Sequence, residues 1–351
     1  MFGIIMEDDN MAREVTFQDI ANYTGFSKTT ISRYFNHPGT VSEENRKTIE
    51  NALSSLNYSE NRVARMLAKG KTDIIGLIIP NLYNGFYQTI QDLLVGTYDK
   101  YGYKFLVFSG SDSESRERRY IRELLAYRIE GLIILSHTLS SSELTRFGIP
   151  VVGIEREDRY ISSVSTDNHV GGVQAAKMLI ENGCEEFIIL NSPTAADVPA
   201  LGRVRGFVET VQSSKKPHLY LEYKMDSDYK TMVSSIEKIM REKIINNFPG
   251  KRKGIFCLSD SSAIVVLNYL FRTYGKLPED YRLIGFDNTP ASREAVLPLS
   301  TVGQQVDILV DTAMSILMDE IRQSKEEGGF LQKNPVHAVI PPRLIPRETT
   351  D

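Results

Sequence analysis

From Asp73 onward, short apolar runs alternate with longer amphipathic segments, and this alternation limits the possible folds more than any other feature. The first series predicts strands at Ile74 to Ile79, Lys104 to Phe108, Gly131 to Leu135 and Pro150 to Ile154, and helices at Gly85 to Lys100 and Glu114 to Tyr127. Strands that alternate with helices form parallel sheets that are covered on both faces. The sequence therefore predicts an α/β core.

The same rhythm restarts near residue 170. This second series predicts helices at Val170 to Asn182, Gly202 to Gln212, Tyr229 to Asn246 and Ser261 to Tyr274, and strands at Glu186 to Leu190, Leu219 to Tyr223, Gly254 to Leu258 and Arg282 to Phe286. Two successive series predict two doubly wound parallel-sheet subdomains. Because such sheets bind ligands beyond the carboxyl ends of their strands, we expect a ligand cleft between the subdomains.

The residues before this core carry the start and stop signals of three short helices. Thr16 and Asp19 form a capping-box pattern that begins the first helix, and Gly25 ends it. Ser27 caps the second helix and Ser42 caps the third. Two helices joined by a short turn that contains glycine are typical of a helix-turn-helix motif. On helix pattern alone, a small helical bundle with solvated charges remains the alternative.

Composition places the chain among globular proteins. Its 351 residues predict two or three domains, and no stretch approaches the roughly 18 uncharged apolar residues of a membrane-spanning helix. The amino terminus carries no signal-peptide pattern, so we expect a cytoplasmic protein. Cys184 and Cys257 lie far apart beside apolar runs, which favours buried packing residues over a disulfide or a zinc site.

The charge is divided unevenly along the chain. The net charge is −4, which alone argues against a nucleic-acid-binding protein. Residues 12–72, however, hold nine basic and six acidic residues, a net charge of +3 that leaves −7 for the remainder. A basic segment at one end of an acidic chain indicates separate roles for the two parts.

Residues 15–68, from VTFQDIANYTGFSKTTISRYF to NRVARMLA, closely resemble the DNA-binding headpiece of the lactose/galactose repressor (LacI/GalR) family. The resemblance implies that Lys28, Thr29 and Arg33 read bases in the major groove, since all three side chains can donate hydrogen bonds to base edges. Ser27 and its neighbours would bind phosphates and fix the register. The complete predicted set of DNA-contacting residues is Thr16, Ser27, Lys28, Thr29, Thr30, Ser32, Arg33, Asn36, Tyr58, Asn61, Val63, Ala64 and Leu67.

The last four of these residues belong to a predicted hinge. Asn61 can cap a helix that carries Val63, Ala64 and Leu67 on one side, but a helix this short is unstable alone. In the family this segment pairs with its dimer mate and inserts a leucine into the minor groove, and Leu67 occupies that position. An ordinary linker leucine is the alternative.

The core also resembles this family, whose core is similar to a periplasmic sugar-binding protein, through motifs such as IPVVGIER, STDNHVGG, GRVRGF and LIGFDNTP. The resemblance implies a sugar pocket in which Arg203 and Asp260 lie side by side as a fork that binds hydroxyl groups. Phe86 stacks on the ligand or belongs to the core. Glu155 stands where an aspartate is more usual. Gln304 contacts the ligand or makes a hinge hydrogen bond.

The resemblance also implies that the chain crosses between subdomains near residues 170, 302 and 332. The predicted boundaries are a headpiece at 12–58, a hinge at 59–72 and a core at 73–351. Within the core, one subdomain comprises 73–169 with 304–332, and the other comprises 170–303 with 333–351.

The function implied by the resemblance is a transcriptional repressor of carbohydrate-utilisation genes. Its expected partners are double-stranded operator DNA of pseudo-palindromic sequence, a sugar or sugar-phosphate effector and a second copy of the chain, with no membrane. A sugar-binding protein or a sugar-active enzyme on the same scaffold is the alternative. The five histidines show no metal spacing, and neither a nucleotide-binding fingerprint nor a nucleophile elbow is present, so no metal, cofactor or catalytic residue is predicted.

Overall fold

The chain divides into two units, residues 1–71 and residues 72–351. A computed structural model describes residues 15–59, 71–82, 84–110, 113–156, 159–192, 198–224, 229–245 and 247–351. The predicted hinge residues Asn61, Val63, Ala64 and Leu67 lie outside these described residues.

The first unit contains the three predicted helices: α1 (Phe17–Thr24), α2 (Lys28–Asn36) and α3 (Glu43–Ser55). The capping box of Thr16 and Asp19 is present, and the hydroxyls of Ser27 and Ser42 accept from the third amide of their helices. Gly25 ends α1 in the left-handed conformation, with φ of 72°, that turns the chain into α2. The helix-turn-helix prediction is therefore confirmed.

A small apolar core holds these three helices together. Its fully buried members are Ile20, Ala21, Ile31, Ile49 and Ala52. Aromatic rings extend this core, because Phe35 stacks on Phe17 at 4.9 Å between ring centroids and lies 5.7 Å from Tyr58. The rings of Phe35 and Tyr58 therefore add apolar contacts to the small core of the three-helix unit.

The second unit contains two six-stranded sheets. The first sheet is parallel, and its spatial order is β2 (Lys104–Ser109), β1 (Ile74–Ile79), β3 (Gly131–Ile134), β4 (Val151–Ile154), β5 (Ser162–Thr166) and β11 (His337–Ile340). The second sheet has the order β7 (His218–Glu222), β6 (Glu186–Asn191), β8 (Lys253–Cys257), β9 (Tyr281–Asp287), β10 (Ser300–Gly303) and β12 (Arg343–Ile345). Only β12 in this second sheet pairs antiparallel.

Helices cover both sheets, as the alternating pattern predicts. In chain order they are α4 (Gly85–Gly96), α5 (Tyr98–Tyr101), α6 (Glu114–Ala126), α7 (Ser141–Leu144), α8 (Asn168–Glu181), α9 (Leu201–Ser213), α10 (Tyr229–Ile239), α11 (Asp260–Tyr274), α12 (Pro290–Glu294) and α13 (Val306–Glu327). The predicted helix at 85–100 is broken after Gly96, and the one at 229–246 ends in a π-helical turn at Met240–Ile244. The prediction of an α/β core with two parallel-sheet subdomains is confirmed.

Strand β5 is absent from the predicted elements because four of its five residues carry hydroxyl groups. All five residues are nevertheless buried. The hydroxyl of Ser162 donates to Glu320 at 2.5 Å, and that of Ser163 is 2.9 Å from the His337 ring. Since hydrogen bonds satisfy these hydroxyls, the strand is buried without an apolar pattern.

The third crossover lies at Pro341 and Pro342, and the prediction of a crossover near residue 332 is wrong. His337–Ile340 pairs with β5 of the first sheet, and Arg343–Ile345 pairs with β10 of the second. Residues 337–340 therefore belong to the first subdomain rather than the second. The cause is that β5 would otherwise be an exposed edge, and β11 supplies its missing partner.

Helices α8 and α9 cross in direct backbone contact. A β-carbon added at Gly172 would lie 2.1 Å from the carbonyl oxygen of Arg203, so only glycine fits there. This close approach fixes the backbone from which the Arg203 side chain extends.

The two cysteines are buried in the second subdomain and are not bonded to each other. Burial raises the pKa of the Cys184 thiol to about 11 and that of Cys257 further, which suits the predicted packing role. Within the described ranges, no helix combines the length and the apolar character that crossing a bilayer requires.

Candidate functional site

Polar side chains from both sheets meet where the chain crosses between the subdomains. Glu155 follows β4, Asn168 begins α8, Asp287 ends β9 and Gln304 follows β10. Arg203, in the first turn of α9, contacts Asn168, Asp287 and Glu155. These five residues, called the crossover cluster below, are each at least nine-tenths buried.

Arg203 is the only positive charge of this cluster. Its Nε donates to Asn168 Oδ1 at 2.7 Å, and its Nη1 donates to the carbonyl oxygen of Leu258 at 2.7 Å. Its guanidinium group lies 3.7 Å from the ring centre of Phe286. A planar cation that is held by two neutral acceptors and one aromatic face has a single orientation.

Two carboxylates lie beside this guanidinium. Asp287 Oδ1 is 3.4 Å from Nη1, and Glu155 Oε2 is 4.0 Å from Nη2. The carboxylate of Glu155 also accepts from the amide of Thr166 at 2.6 Å and from the side chain of Asn168 at 2.9 Å. Glu155, which stands where an aspartate is more usual in the family, thus accepts hydrogen bonds from the first crossover with both of its carboxylate oxygens.

Gln304 joins the first two crossovers. Its side-chain oxygen accepts from the hydroxyl of Thr166 at 2.6 Å, and its nitrogen donates to Asp287 at 2.7 Å. A hinge hydrogen bond was one of its two predicted roles, and these contacts have that geometry. Ligand contact by Gln304 stays a prediction.

Asp287 is the acid that lies within 3.4 Å of Arg203, whereas Asp260 is hydrogen-bonded to other residues, so a ligand contact shared by Arg203 and Asp260 stays a prediction. Asp260 is completely buried at the start of α11. Its carboxylate accepts from the amide of Thr289 at 2.7 Å and from the hydroxyls of Thr289 and Thr301 at 3.1 and 2.6 Å. These three donors, two from Thr289 after β9 and one from Thr301 in β10, tie the carboxylate of Asp260 to both strands.

Sequence reasoning missed Asp287 and Asn168 as site residues. Both lie within recognised motifs, LIGFDNTP and STDNHVGG, at positions that a search for polar residues at strand ends can find. Asp287 also has a positive φ of 110°, which is uncommon for a residue other than glycine.

The electrostatics of these acids follow from burial. Burial raises the pKa of Asp287 above its ordinary value, and the nearby Arg203 opposes the rise. Burial also raises the pKa of Asp260, which its hydrogen-bond donors oppose. A carboxyl group that holds a proton more readily can accept from a ligand hydroxyl in one state and donate to it in the other.

Phe86 lies in the apolar core of the first subdomain and is only 6% exposed. Its backbone amide donates to the side chain of Asn84, which caps the start of α4. Its position fits the core alternative, and a stacking contact with a ligand stays a prediction.

In the first unit, helix α2 exposes Lys28, Thr29 and Arg33 together. The hydroxyls of Ser27 and Thr30 lie 2.9 Å apart at the start of this helix. Farther along, the side-chain nitrogen of Asn36 donates to the hydroxyl of Ser32 at 3.1 Å, and Thr16 serves as the cap of α1. The predicted base-reading side chains thus share one exposed surface, whereas Tyr58 is half-buried against Phe17 and Phe35.

No group of three or more His, Cys, Asp or Glu side chains within the described segments is arranged to hold a metal ion.

Comparisons with known proteins match both units. Residues 16–61 match the family model "Bacterial regulatory proteins, lacI family", and residues 176–350 match the model "Periplasmic binding protein-like domain". The sucrose operon repressor of Streptococcus mutans is 28% identical over 332 residues, which cover 94% of this chain and 98% of that protein. The ribose operon repressor of Bacillus subtilis is 28% identical over 342 residues, covering 95% and 98%.

The fold is also that of a solved structure. The lac repressor dimer bound to operator and the anti-inducer ONPF superposes with a TM-score of 0.79 at 22% identity, over 96% of this chain and 99% of that one. At this identity the likeness concerns the fold alone.

The position of Asp260 yields a stability prediction. Asp260→Ala leaves the buried amide of Thr289 and two hydroxyls without their acceptor, so the free energy of unfolding should fall by about 2 kcal/mol or more. Chemical denaturation at pH 8 measures this change. The matched control is Asp311→Ala, which removes only the exposed ion pair with Lys100 and should leave stability almost unchanged. Equal stability of the two variants would contradict the anchoring role.

Proposed function

Because the chain belongs to the lacI family of bacterial regulatory proteins, we propose that it is a cytoplasmic repressor of carbohydrate-utilisation genes whose operator binding is controlled by a sugar or sugar phosphate. The observation that carries this proposal is the pairing of a helix-turn-helix unit with a core whose crossovers hold one buried arginine between two acids.

The DNA-binding half of the proposal rests on helix α2. Lys28 and Arg33 can donate to guanine, and Thr29 can contact a base edge or a thymine methyl group. All three side chains are exposed, while Ile31 on the opposite side of the helix is buried. Ser27, Thr30 and Asn36 would bind phosphates, and Asn61, Val63, Ala64 and Leu67 would form the minor-groove hinge.

The sugar-binding half rests on the crossover cluster. Vicinal hydroxyl groups both donate and accept, and the cluster offers a fixed guanidinium donor next to carboxylate acceptors. Arg203 and Asp287 belong to the second subdomain, and Glu155 belongs to the first, so one ligand can engage both. Relatives that are named sucrose and ribose operon repressors support a carbohydrate as the effector.

The proposed mechanism couples the two halves through a homodimer. Two headpieces occupy the half-sites of a pseudo-palindromic operator, so the symmetry of the protein matches that of the DNA. Effector binding shifts the relative orientation of the subdomains and thereby the separation of the two hinges. The effector achieves this only to the extent that it binds one arrangement more tightly than the other.

A sugar-active enzyme or a simple sugar-binding protein is the competing function. Neither requires the helix-turn-helix unit, and the relatives reported above are operon repressors. A regulator therefore accounts for both parts of the chain, whereas either alternative leaves residues 16–61 without a role.

The base-reading role of Arg33 can be tested by substitution. Arg33→Ala should lose most discrimination between a duplex selected by the wild-type protein from a random pool and unselected DNA, since a bidentate base contact contributes about 1–3 kcal/mol. Gel-shift titration on both duplexes measures the ratio. The control is Lys47→Ala on helix α3, where an exposed lysine pairs with Glu43. An unchanged ratio in the Arg33 variant would defeat the assignment.

The effector role of Arg203 requires a different measurement. Calorimetric titration with sucrose, ribose and their phosphates should identify a sugar that binds the wild-type protein, and Arg203→Lys should weaken that binding by about tenfold or more because lysine lacks the planar fork. Operator affinity without sugar should be largely retained. Arg322→Lys, on the exposed face of α13, is the control. Normal sugar binding by the Arg203 variant would exclude Arg203 from the effector site.

A further inference from the structure

A buried carboxylate fixes the point at which the chain enters the core. Glu130 lies at the amino-terminal edge of the first sheet, and its side chain is 10% exposed. Its Oε1 accepts from the amides of Thr72 and Asp73 at 3.0 and 2.9 Å. The hydroxyl of Thr72 donates to the carbonyl oxygen of Arg128 at 2.7 Å. Thr72 is the first residue of the second unit and directly follows the segment that connects it to the headpiece.

The second oxygen of Glu130 holds a different part of the core. Its Oε2 accepts from the hydroxyl of Tyr103 at 2.9 Å and from the ammonium group of Lys325 at 2.5 Å. Burial alone would raise the pKa of Glu130, but Lys325, the amide of Asp73 and Tyr103 lower it overall, so the group is ionised at neutral pH. One carboxylate therefore joins the first residues of the core to Lys325.

Lys325 belongs to the last turn of α13, whose first turn lies next to the crossover cluster. This helix has 22 residues and is therefore about 33 Å long. It begins at Val306, two residues after Gln304. Its inward side chains pack into the core of the first sheet, among them Leu309, Ala313, Leu317 and Ile321. A long helix that is packed in this way moves as one body, so a displacement at one end reaches the other.

We propose that Glu130 is a positioning residue of the regulatory response, which couples the crossover cluster to the start of the core through Lys325 and α13. The proposal rests on the function proposed above, and it adds the route by which the effector site reaches the DNA-binding unit. Effector binding changes the contacts of Gln304, α13 shifts relative to the sheet, and Glu130 transfers the shift to Thr72 and Asp73.

The core contains a matched ion pair that lacks these connections. Glu186 begins β6 at the amino-terminal edge of the second sheet, and its carboxylate pairs with Lys251. The side chains are 7% and 49% exposed, against 10% and 39% for Glu130 and Lys325. Glu186 and Lys251 thus reproduce the burial and chemistry of the proposed pair without contacting α13 or the entry of the chain.

The test is a double-mutant cycle on the full-length protein, with the selected duplex as probe. Glu130→Gln and Lys325→Met should each change duplex affinity by about fivefold or more, and each should be non-additive with Gln304→Ala. Glu186→Gln and Lys251→Met should stay within about twofold of wild type and be additive with Gln304→Ala. Non-additivity between sites at opposite ends of a helix about 33 Å long is not expected of a purely structural ion pair.

If Glu130→Gln does not fold, the duplex affinity of Lys325→Met tests the positioning role instead, since this variant leaves the bonds from Glu130 to Thr72 and Asp73 in place. Duplex affinities that match those of the control variants, or additive cycles throughout, would overturn the positioning role. If the wild-type protein selects no duplex at all, the proposed function itself fails.

Discussion

The arrangement of the core depends on one buried positive charge. Arg203 has almost no access to solvent, and an arginine does not lose its proton in a protein. The surrounding structure must therefore supply acceptors, and it does so from three directions through Asn168, Leu258 and Asp287. Removing a partner from a buried charge is costly, which keeps these elements together. The same requirement makes the cluster suited to a polyhydroxylated ligand, whose oxygens can take over as acceptors.

The crossovers turn this local requirement into a property of the whole core. Thr166 and Gln304 lie on different crossovers and are directly bonded, and Glu155 binds the backbone of the first. A ligand that replaces any of these bonds alters how the two sheets are connected. Helix α13 starts at the second crossover and ends against Glu130, so the chain has a physical link from the cluster to Thr72.

Apolar patterns and capping signals predicted most of the fold. Strand β1 was predicted with the observed bounds and helix α2 begins directly after its predicted cap, Ser27, because these elements depend on apolar side chains and on local caps. Strand β5 has no such pattern, since Ser162 and Ser163 are satisfied by Glu320 and His337, which lie more than 150 residues away in sequence. The pairing of β11 with β5, and hence the third crossover, depends on that hidden strand.

The site was predicted in part for a similar reason. Arg203, Glu155 and Gln304 were found because they lie in recognisable motifs at strand and helix ends, and the structure brings them together. Asp260 was paired with Arg203 instead of Asp287 because both acids lie near the carboxyl ends of neighbouring strands. Three hydrogen bonds from Thr289 and Thr301 decide between them, and no sequence pattern shows these bonds.

The central claim is that sugar and operator bind in a coupled way. Calorimetric titration of the sugar that binds the wild-type protein, with and without the selected duplex, tests this coupling directly. The account predicts that the duplex changes the affinity for the sugar by the same factor as the sugar changes the affinity for the duplex. Equal sugar affinities with and without the duplex would contradict it.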